Sequence, residues 1–300
     1  MCNSLSDSSK SAQKYLVSDE YGKVYIVSTP IGNLQDITFR AIDTLKEVDL
    51  IAAEDTRRTK QLLNHFNINT RVTSYHEHNK FDKAIDIVEK IKQGLNVAIV
   101  TDAGTPVISD PGNELIKMAL REGIEVTAIP GCCAAINALV LSGLDAKSFV
   151  FIGFLPDDSK KRKEQIEELS VETRTMIFYI APHDILKSLK SLIEVFGTDR
   201  LAALSREMTK IHEECKRGTL EEIYDEFNKR DIKGEFVLVV DGIDKNVIKE
   251  KEADKWSKLS ISEHYNLYIK DGLSDKDAIK RVAKERDMDK RDVYRELKVK

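Results

Sequence analysis

The stretch Val97–Gly112, VAIVTDAGTPVISDPG, decides how this chain folds. Its first four residues, Val97 to Val100, form an unbroken apolar run, the pattern of a short strand buried on both faces. The run gives way to Asp102-Ala103-Gly104-Thr105-Pro106, an acidic loop of small residues. Asp110-Pro111-Gly112 then predicts a helix start, with Asp110 as N-cap and Pro111 at the first helical position. A strand that ends in such a loop and hands over to a helix is where open α/β sheets bind ligands. Gly104 lets a backbone approach closely, and Asp102 can accept hydrogen bonds from a ribose, an amine or an amide. The plain alternative is an ordinary strand–helix connection.

The same alternation extends outward in both directions. Upstream, Lys23 to Thr29 reads as a strand ending in the turn Pro30-Ile31-Gly32-Asn33, and Asp36 is expected to cap a helix from Thr38 to Val48. Leu50 to Ala53 and Val72 to Tyr75 read as strands, with a helix reaching about Phe66 and another from Phe81 to Gln93. Downstream, Glu114 to Arg121 is helical, Glu125 to Ile129 extended, and Pro130-Gly131 turns into a helix from Cys132 to Leu141. The pattern pauses around Ser142-Gly143-Leu144. It resumes with strands at Phe149–Phe154, Thr175–Ile180, Leu201–Leu204 and Phe236–Val240, and helices at Lys160–Leu169, Asp184–Phe196 and Thr219–Lys229. Short apolar strands alternating with three-turn helices predict parallel or largely parallel sheets. We therefore expect an α/β protein of two tandem domains, residues 23–146 and 147–243. Residues 1–22 read as a polar, disordered leader, and 244–300 as a charged linker and a small helical region in which Ser274 caps a helix with Asp277 three residues on.

Composition narrows the function classes. The 300 residues are 41% hydrophobic and 33% charged, and the formal net charge is −4. That balance describes a globular chain with a charged surface and argues against wholesale coating of nucleic acid, though not against a local basic face. No apolar run reaches the length of a membrane span. The four cysteines include the adjacent pair Cys132-Cys133 and lack zinc spacing, a usage that fits a reducing cytoplasm. There is no G-x-G-x-x-G, P-loop or serine nucleophile elbow, which disfavours a triphosphatase and a standard dinucleotide oxidoreductase.

Six strand ends carry small, proline-bearing or polar loops: STPIGN, EDTRRTK, TDAGTPVISDPG, PGCCAA, YIAPHD and SREMTK. Loops at one sheet edge converge, so these predict a single ligand cleft between the domains. Arg57, Arg58 and Lys60, with Arg206 and Lys210, are the basic groups nearest that cleft; each is either a phosphate contact or part of a solvated face. Lys160-Lys161-Arg162-Lys163 is a second basic candidate. His76-Glu77-His78 could share a strand face, but one pair of ligands is not a site and no metal is expected. The two cysteines read as small packing residues that let a ligand approach, with reactive thiols at a helix N-terminus as the alternative.

Taken together, VYIVSTPIGNLQDITFRAIDTLKEVDLIAAEDTRRT, VAIVTDAGTPVISDPG, SREMTK and KGEFVLVVDG resemble the bacterial 16S ribosomal RNA small subunit methyltransferase I family of the tetrapyrrole-methylase superfamily. The resemblance runs from about Lys23 to Gly242, and the later GLSDKDAIKRVAKE and DVYREL also fit. It implies S-adenosylmethionine in the interdomain cleft, 2′-O-methylation of a cytidine ribose in the decoding region of 16S rRNA, and a homodimer acting on the small ribosomal subunit in the cytoplasm. Carried over by position, the resemblance puts Pro30 and Ile31 on one side of the cofactor, Asp102, Gly104 and Thr105 at its polar parts, and Cys133 and Ala134 against it. In the second domain Ile180 and Ala181 meet the adenosine, with Arg206, Glu207, Glu235 and Phe236 close by. The cysteines depart from the small or hydroxyl residues usual in PGCCAA, and a thiol is a poorer hydrogen-bond partner than a hydroxyl. A ribose hydroxyl is a weak acid, so Glu54 is expected as base and Arg57 as phosphate or alkoxide stabiliser. A porphyrinogen C-methyltransferase and a non-catalytic cofactor-binding module that docks on ribosomes are the competing readings.

Overall fold

The computed structural model describes residues 18, 20–247, 256 and 259–298, so most of the expected leader and part of the linker lie outside the described residues. The chain from Lys23 builds a sheet of five parallel strands in the order β3-β2-β4-β1-β5: β1 (Lys23–Val27), β2 (Leu50–Ala53), β3 (Val72–Ser74), β4 (Val97–Val100) and β5 (Glu125–Ile129). Tyr21 and Gly22, expected in the leader, already belong to it: Tyr21 packs on its core and Gly22 N–H donates to Ile91 O. The unbroken apolar run of β4 is explained by burial on both faces. Val97 and Ile99 meet helices α3 (Lys80–Lys92) and α4 (Asn113–Arg121), while Ala98 and Val100 meet α1 (Phe39–Glu47) and α2 (Thr56–His65). Burying each of these valines and the isoleucine is worth about 1.5–3 kcal/mol, and Ala98 less.

The second sheet departs from the expected parallel form. Its order is β6-β7-β10-β8-β9, from β6 (Phe149–Phe154), β7 (Thr175–Ile180), β8 (Leu201–Arg206), β9 (Glu214–Thr219) and β10 (Phe236–Val240). Only β6 and β7 run parallel; the other three pairings are antiparallel. One face is covered by α6 (Ser159–Leu169), α7 (Ile185–Phe196) and α8 (Leu220–Phe227), around Phe178, Leu204 and Leu238. The other face, with Ile177, Val237 and Val239, is covered by α5 (Ala134–Ser142). That helix precedes the expected domain boundary near residue 146, yet its Ala135, Ala138 and Leu139 pack on the second sheet, joined there by Ile31 of the first domain.

Beyond the sheets, α9 (Ile261–Lys270), α10 (Asp275–Glu285) and α11 (Lys290–Lys298) share a core of Ile261, Val282, Ala283 and Val293. Ser274 caps α10 as expected, its Oγ accepting from Asp277 N–H at 3.3 Å. Two other caps differ from expectation. Thr38, not Asp36, caps α1, because Asp36 closes a 3-10 turn instead. Gly112, not Asp110, precedes α4, because a φ of 144° turns the chain there and directs Asp110 elsewhere. Among the described residues no helix is long and apolar enough to cross a membrane.

Candidate functional site

Topology places the site. The chain leaves β1 and passes β4 to reach β2, whereas it leaves β4 and passes β1 to reach β5. The two connections diverge, which opens a crevice at the carboxyl ends of β1 and β4. Across it Thr29 and Gly104 exchange backbone hydrogen bonds of 2.9 and 3.0 Å. Thr105 Oγ1 lies 3.0 Å from Ser28 Oγ and donates to Cys132 O at 2.9 Å, so the loop is tied to the segments that follow β1 and β5. Gly104 has a φ of 88°, and a Cβ there would stand 3.3 Å from Ile31 Cγ2. Val107 and Ser109 also take left-handed conformations, at φ 78° and 66°. A β-branched residue rarely does so, and such strain persists where surrounding structure enforces it. Facing this loop, the segment after β8 holds Glu207 and Thr209 at φ 49° and 67°.

Between the two sheets lies a cavity of about 380 Å³, inside the range of about 300–1,000 Å³ that small-molecule sites occupy. The first domain contributes Ile31, Gly104, Thr105 and Asp110 to its walls, and the start of α5 contributes Cys133 and Ala134. The second domain adds Ile180, Ala181, Glu235 and Phe236, together with Phe154, Tyr179 and Met208. Sequence alone does not mark Asp110, Phe154, Tyr179 or Met208 as cavity residues. The Asp-Pro signature pointed to capping, and nothing in the strands YI and GF marks which aromatic faces the cleft. Among the described residues, the lining contains no lysine, arginine or histidine, but it has two carboxylates and three aromatic rings. Such a wall favours a cationic ligand over a phosphate.

Electrostatics behind the wall are strongly acidic. Glu54 accepts from Thr101 Oγ1 at 2.7 Å and stands beside Asp102 and Asp110. Burial, reinforced by the Glu54 and Asp102 charges, pushes the Asp110 carboxyl up to about 6 even though a Thr101 hydrogen bond pulls it down. Burial and then the Glu54 charge raise Asp102 as well. Burial also pushes the Tyr179 phenol up to about 12.

Not every expected residue reaches this cavity. Pro30 and Asp102 line a neighbouring one instead. Arg206 is engaged behind the wall, its Nε donating to Lys233 O at 2.6 Å and its Nη1 to Glu214 at 3.1 Å. Glu207 Oε1 accepts from Glu235 N–H at 2.9 Å and from Lys210 Nζ at 3.0 Å, and so braces the loop that carries Glu235. Glu54 lines neither cavity, because its carboxylate is turned to Thr101. Arg57 lies outside both and pairs with Asp55 at 3.1 Å, its side chain 88% exposed. Lys60 is exposed on α2. Arg162, from the second basic run, is buried: its guanidinium forks onto Asp184 at 3.1 and 2.6 Å, and its Nε donates to Pro156 O at 2.8 Å. It cannot present itself to a phosphate.

A two-sheet α/β body with an interdomain cavity at these strand ends defines the tetrapyrrole-methylase class. The family model for Tetrapyrrole (Corrin/Porphyrin) Methylases matches residues 23–224. A uroporphyrin-III C-methyltransferase from Thermus thermophilus, solved in complex with S-adenyl homocysteine, shares the fold at a TM-score of 0.53 and 17% identity, covering 73% of this chain and 97% of that one. Two relatives are far more similar. The ribosomal RNA small subunit methyltransferase I of Halalkalibacterium halodurans is 48% identical over 95% of this chain and 98% of its own length. That of Bacillus subtilis is 46% identical over 92% and 94%. The chain belongs to the ribosomal RNA small subunit methyltransferase I family.

Proposed function

We propose that the protein transfers a methyl group from S-adenosylmethionine to the 2′ oxygen of a cytidine ribose in the decoding region of 16S rRNA. The observation that carries this reading is the near full-length identity to the rRNA methyltransferases, combined with a cavity whose walls suit a cation. When bound, the cofactor supplies a methyl group already activated on a sulfonium.

The chain's own residues do the rest. The Gly104–Thr105 backbone holds the polar parts of the cofactor, Cys133 and Ala134 pack against it, and Ile180 and Ala181 hold its adenosine. Ile31, Phe154 and Met208 exclude water. Asp110 and Glu235 offset positive charge, and Tyr179, held by its contact with the Ala135 backbone, offers a ring face. Cys133 caps α5 with no side-chain hydrogen bond, so its contribution is size rather than polarity. Catalysis is then largely alignment, and the proton that the 2′ hydroxyl gives up as the methyl group arrives passes to water at the cleft. Arg57, Arg58 and Lys60 meet rRNA phosphates around the cleft, whereas Lys210 is held between Glu207 and Glu235 and Arg206 orders the Lys233–Phe236 segment.

The working unit is a homodimer in the cytoplasm. Ile136 and Val140 on α5 and Phe149 and Phe151 on the edge strand β6 are large apolar side chains left exposed, at 43%, 72%, 38% and 36%. Contact between copies would remove them from water. Labelled S-adenosylmethionine, incubated with this protein and small subunits lacking the modification, tests the activity. After digestion to nucleosides we expect label in 2′-O-methylcytidine. No label in any nucleoside would overturn the proposal.

A further inference from the structure

A second cavity, of about 460 Å³, opens beside the first, and Ile31, Ala103 and Glu235 stand in the walls of both. Their chemistry differs. The first is free of basic side chains among the described residues, but the second is bordered by Arg58, His65 and Lys210. Leu34 and Leu62 give it an apolar wall, and Gln61 adds an amide that can both donate and accept. Arg58 is the cation poised for exchange. Its Nη1 lies 3.1 Å from Asp102 Oδ2, while Asp102 Oδ1 accepts from Asp55 N–H at 3.1 Å. The Arg58 side chain is 67% exposed, so solvent screens the pair and holds it weakly. Lys210, by contrast, is fixed between Glu207 and Glu235, at 3.0 and 2.9 Å.

We propose that the second cavity receives the acceptor nucleotide, unstacked from the RNA, and that the Arg58–Asp102 pair is the latch it opens. A phosphate oxygen takes the guanidinium, and a ribose hydroxyl donates to the Asp102 carboxylate that this uncovers. The inference rests on the methyl-transfer reading above and goes beyond it by separating an acceptor pocket from the cofactor pocket. Arginine meets phosphate through two parallel hydrogen bonds, a stronger contact than an exposed single-point pair with a carboxylate. Asp102, left with a backbone donor on one oxygen only, becomes an acceptor for a hydroxyl. Ala103 follows it directly and lines both cavities, so a hydroxyl held at Asp102 sits at the wall shared with the cofactor. The Leu34–Leu62 wall gives an unstacked base the apolar surface it loses on leaving its neighbours.

Three proteins decide the question: the wild type, Arg58→Gln and Leu62→Trp. Each is assayed with unmodified small ribosomal subunits, and S-adenosylhomocysteine binding is measured by calorimetry without RNA. Arg58→Gln is expected to raise KM for subunits about tenfold, leave kcat within about threefold, and lower the log–log salt slope of KM by about 1. Leu62→Trp, which fills the pocket, is expected to lower turnover about 100-fold by misplacing the acceptor. Both should bind S-adenosylhomocysteine within about threefold of the wild type, since the first cavity is untouched. Wild-type turnover with both variants kinetically unchanged would overturn the pocket assignment alone, and Arg58→Gln, at an exposed site, keeps that test open if the tryptophan variant misfolds. Loss of S-adenosylhomocysteine binding in Arg58→Gln, or in a Leu62→Trp protein that keeps the wild-type melting temperature, would overturn the separation of the two pockets. A wild type that methylates no subunit would overturn the underlying reading itself.

Discussion

At the wall of the first cavity Asp110 ionises against burial and against the charges of Glu54 and Asp102, with a carboxyl pushed from 3.8 to about 6. A folded-state pKa above the unfolded one means that the fold binds the proton more tightly. Its contribution to stability is therefore fully present below pH 3.8 and is lost as pH rises through about 6. Asp110→Asn removes the charge and keeps the shape. It should melt about 2–4 °C above the wild type at pH 8, with the gap narrowing as pH falls from about 6 to about 4. A gap that stays constant across that range in thermal melts would refute the assignment. Asp110 also shows where sequence reading stops at this scale. Asp102, Gly104 and Thr105 were legible because a small-residue loop after a buried strand has few other uses. Asp110-Pro111 looks the same whether the carboxylate caps a helix or turns back to Thr101, and only the φ of 144° at Gly112 decides. Glu54 is the converse case: the strand end was legible, but not that Thr101 would claim its carboxylate.

Elements pose a different problem, because the same local pattern serves different partners. The run of β10 is buried throughout and would read identically in a parallel or an antiparallel sheet. The strand β9, Glu-Cys-Lys-Arg-Gly-Thr, has no apolar alternation at all. It pairs only with β8 at the sheet edge, where polar residues are tolerated. On α6, Lys160, Lys161 and Lys163 are exposed, and Arg162 between them is 1% exposed. Its fork onto Asp184, which also accepts from Ser188 Oγ at 3.0 Å, ties the Pro156 loop to the start of α7. Both segments border Phe154 and Pro182 in the first cavity. Arg162→Met should therefore cost about 3 kcal/mol in urea unfolding, since it leaves the half-buried Asp184, its side chain 17% exposed, without its counter-charge. Adding Asp184→Asn should recover part of that loss, because the stranded charge goes too. A single variant as stable as the wild type would show the pair to be dispensable.

For the whole molecule, charge and packing divide the labour. The two sheets meet across a cavity that favours a cation, and Arg58 and His65 of α2 stand beside it at the second cavity. The helices α9 to α11 keep a core of their own. There Ser260 and Glu263 form a reciprocal cap, and His264, fully buried, stacks on Trp256 at 3.6 Å and receives a hydrogen bond from Arg286 at 3.1 Å. The last helix sets Lys290, Arg291, Arg295 and Lys298 against only Asp292 and Glu296, so its surface is basic in a chain whose net charge is −4. A self-contained unit that presents this basic last helix, attached to an acidic enzyme body, is suited to rRNA phosphate contact away from the reacting nucleotide. A chain ending at Val247 should then keep the melting temperature of the two-sheet body within about 2 °C, because among the described residues no core is shared. It should also bind S-adenosylhomocysteine within about threefold of the full chain, while KM for small subunits rises about tenfold and its salt dependence weakens. Calorimetry and subunit kinetics separate the outcomes. A large fall in melting temperature would make the helices a structural buttress, and an unchanged KM would remove them from RNA recognition. A raised KM whose salt slope stayed as steep would mean that the helices act through shape, not through phosphate charge.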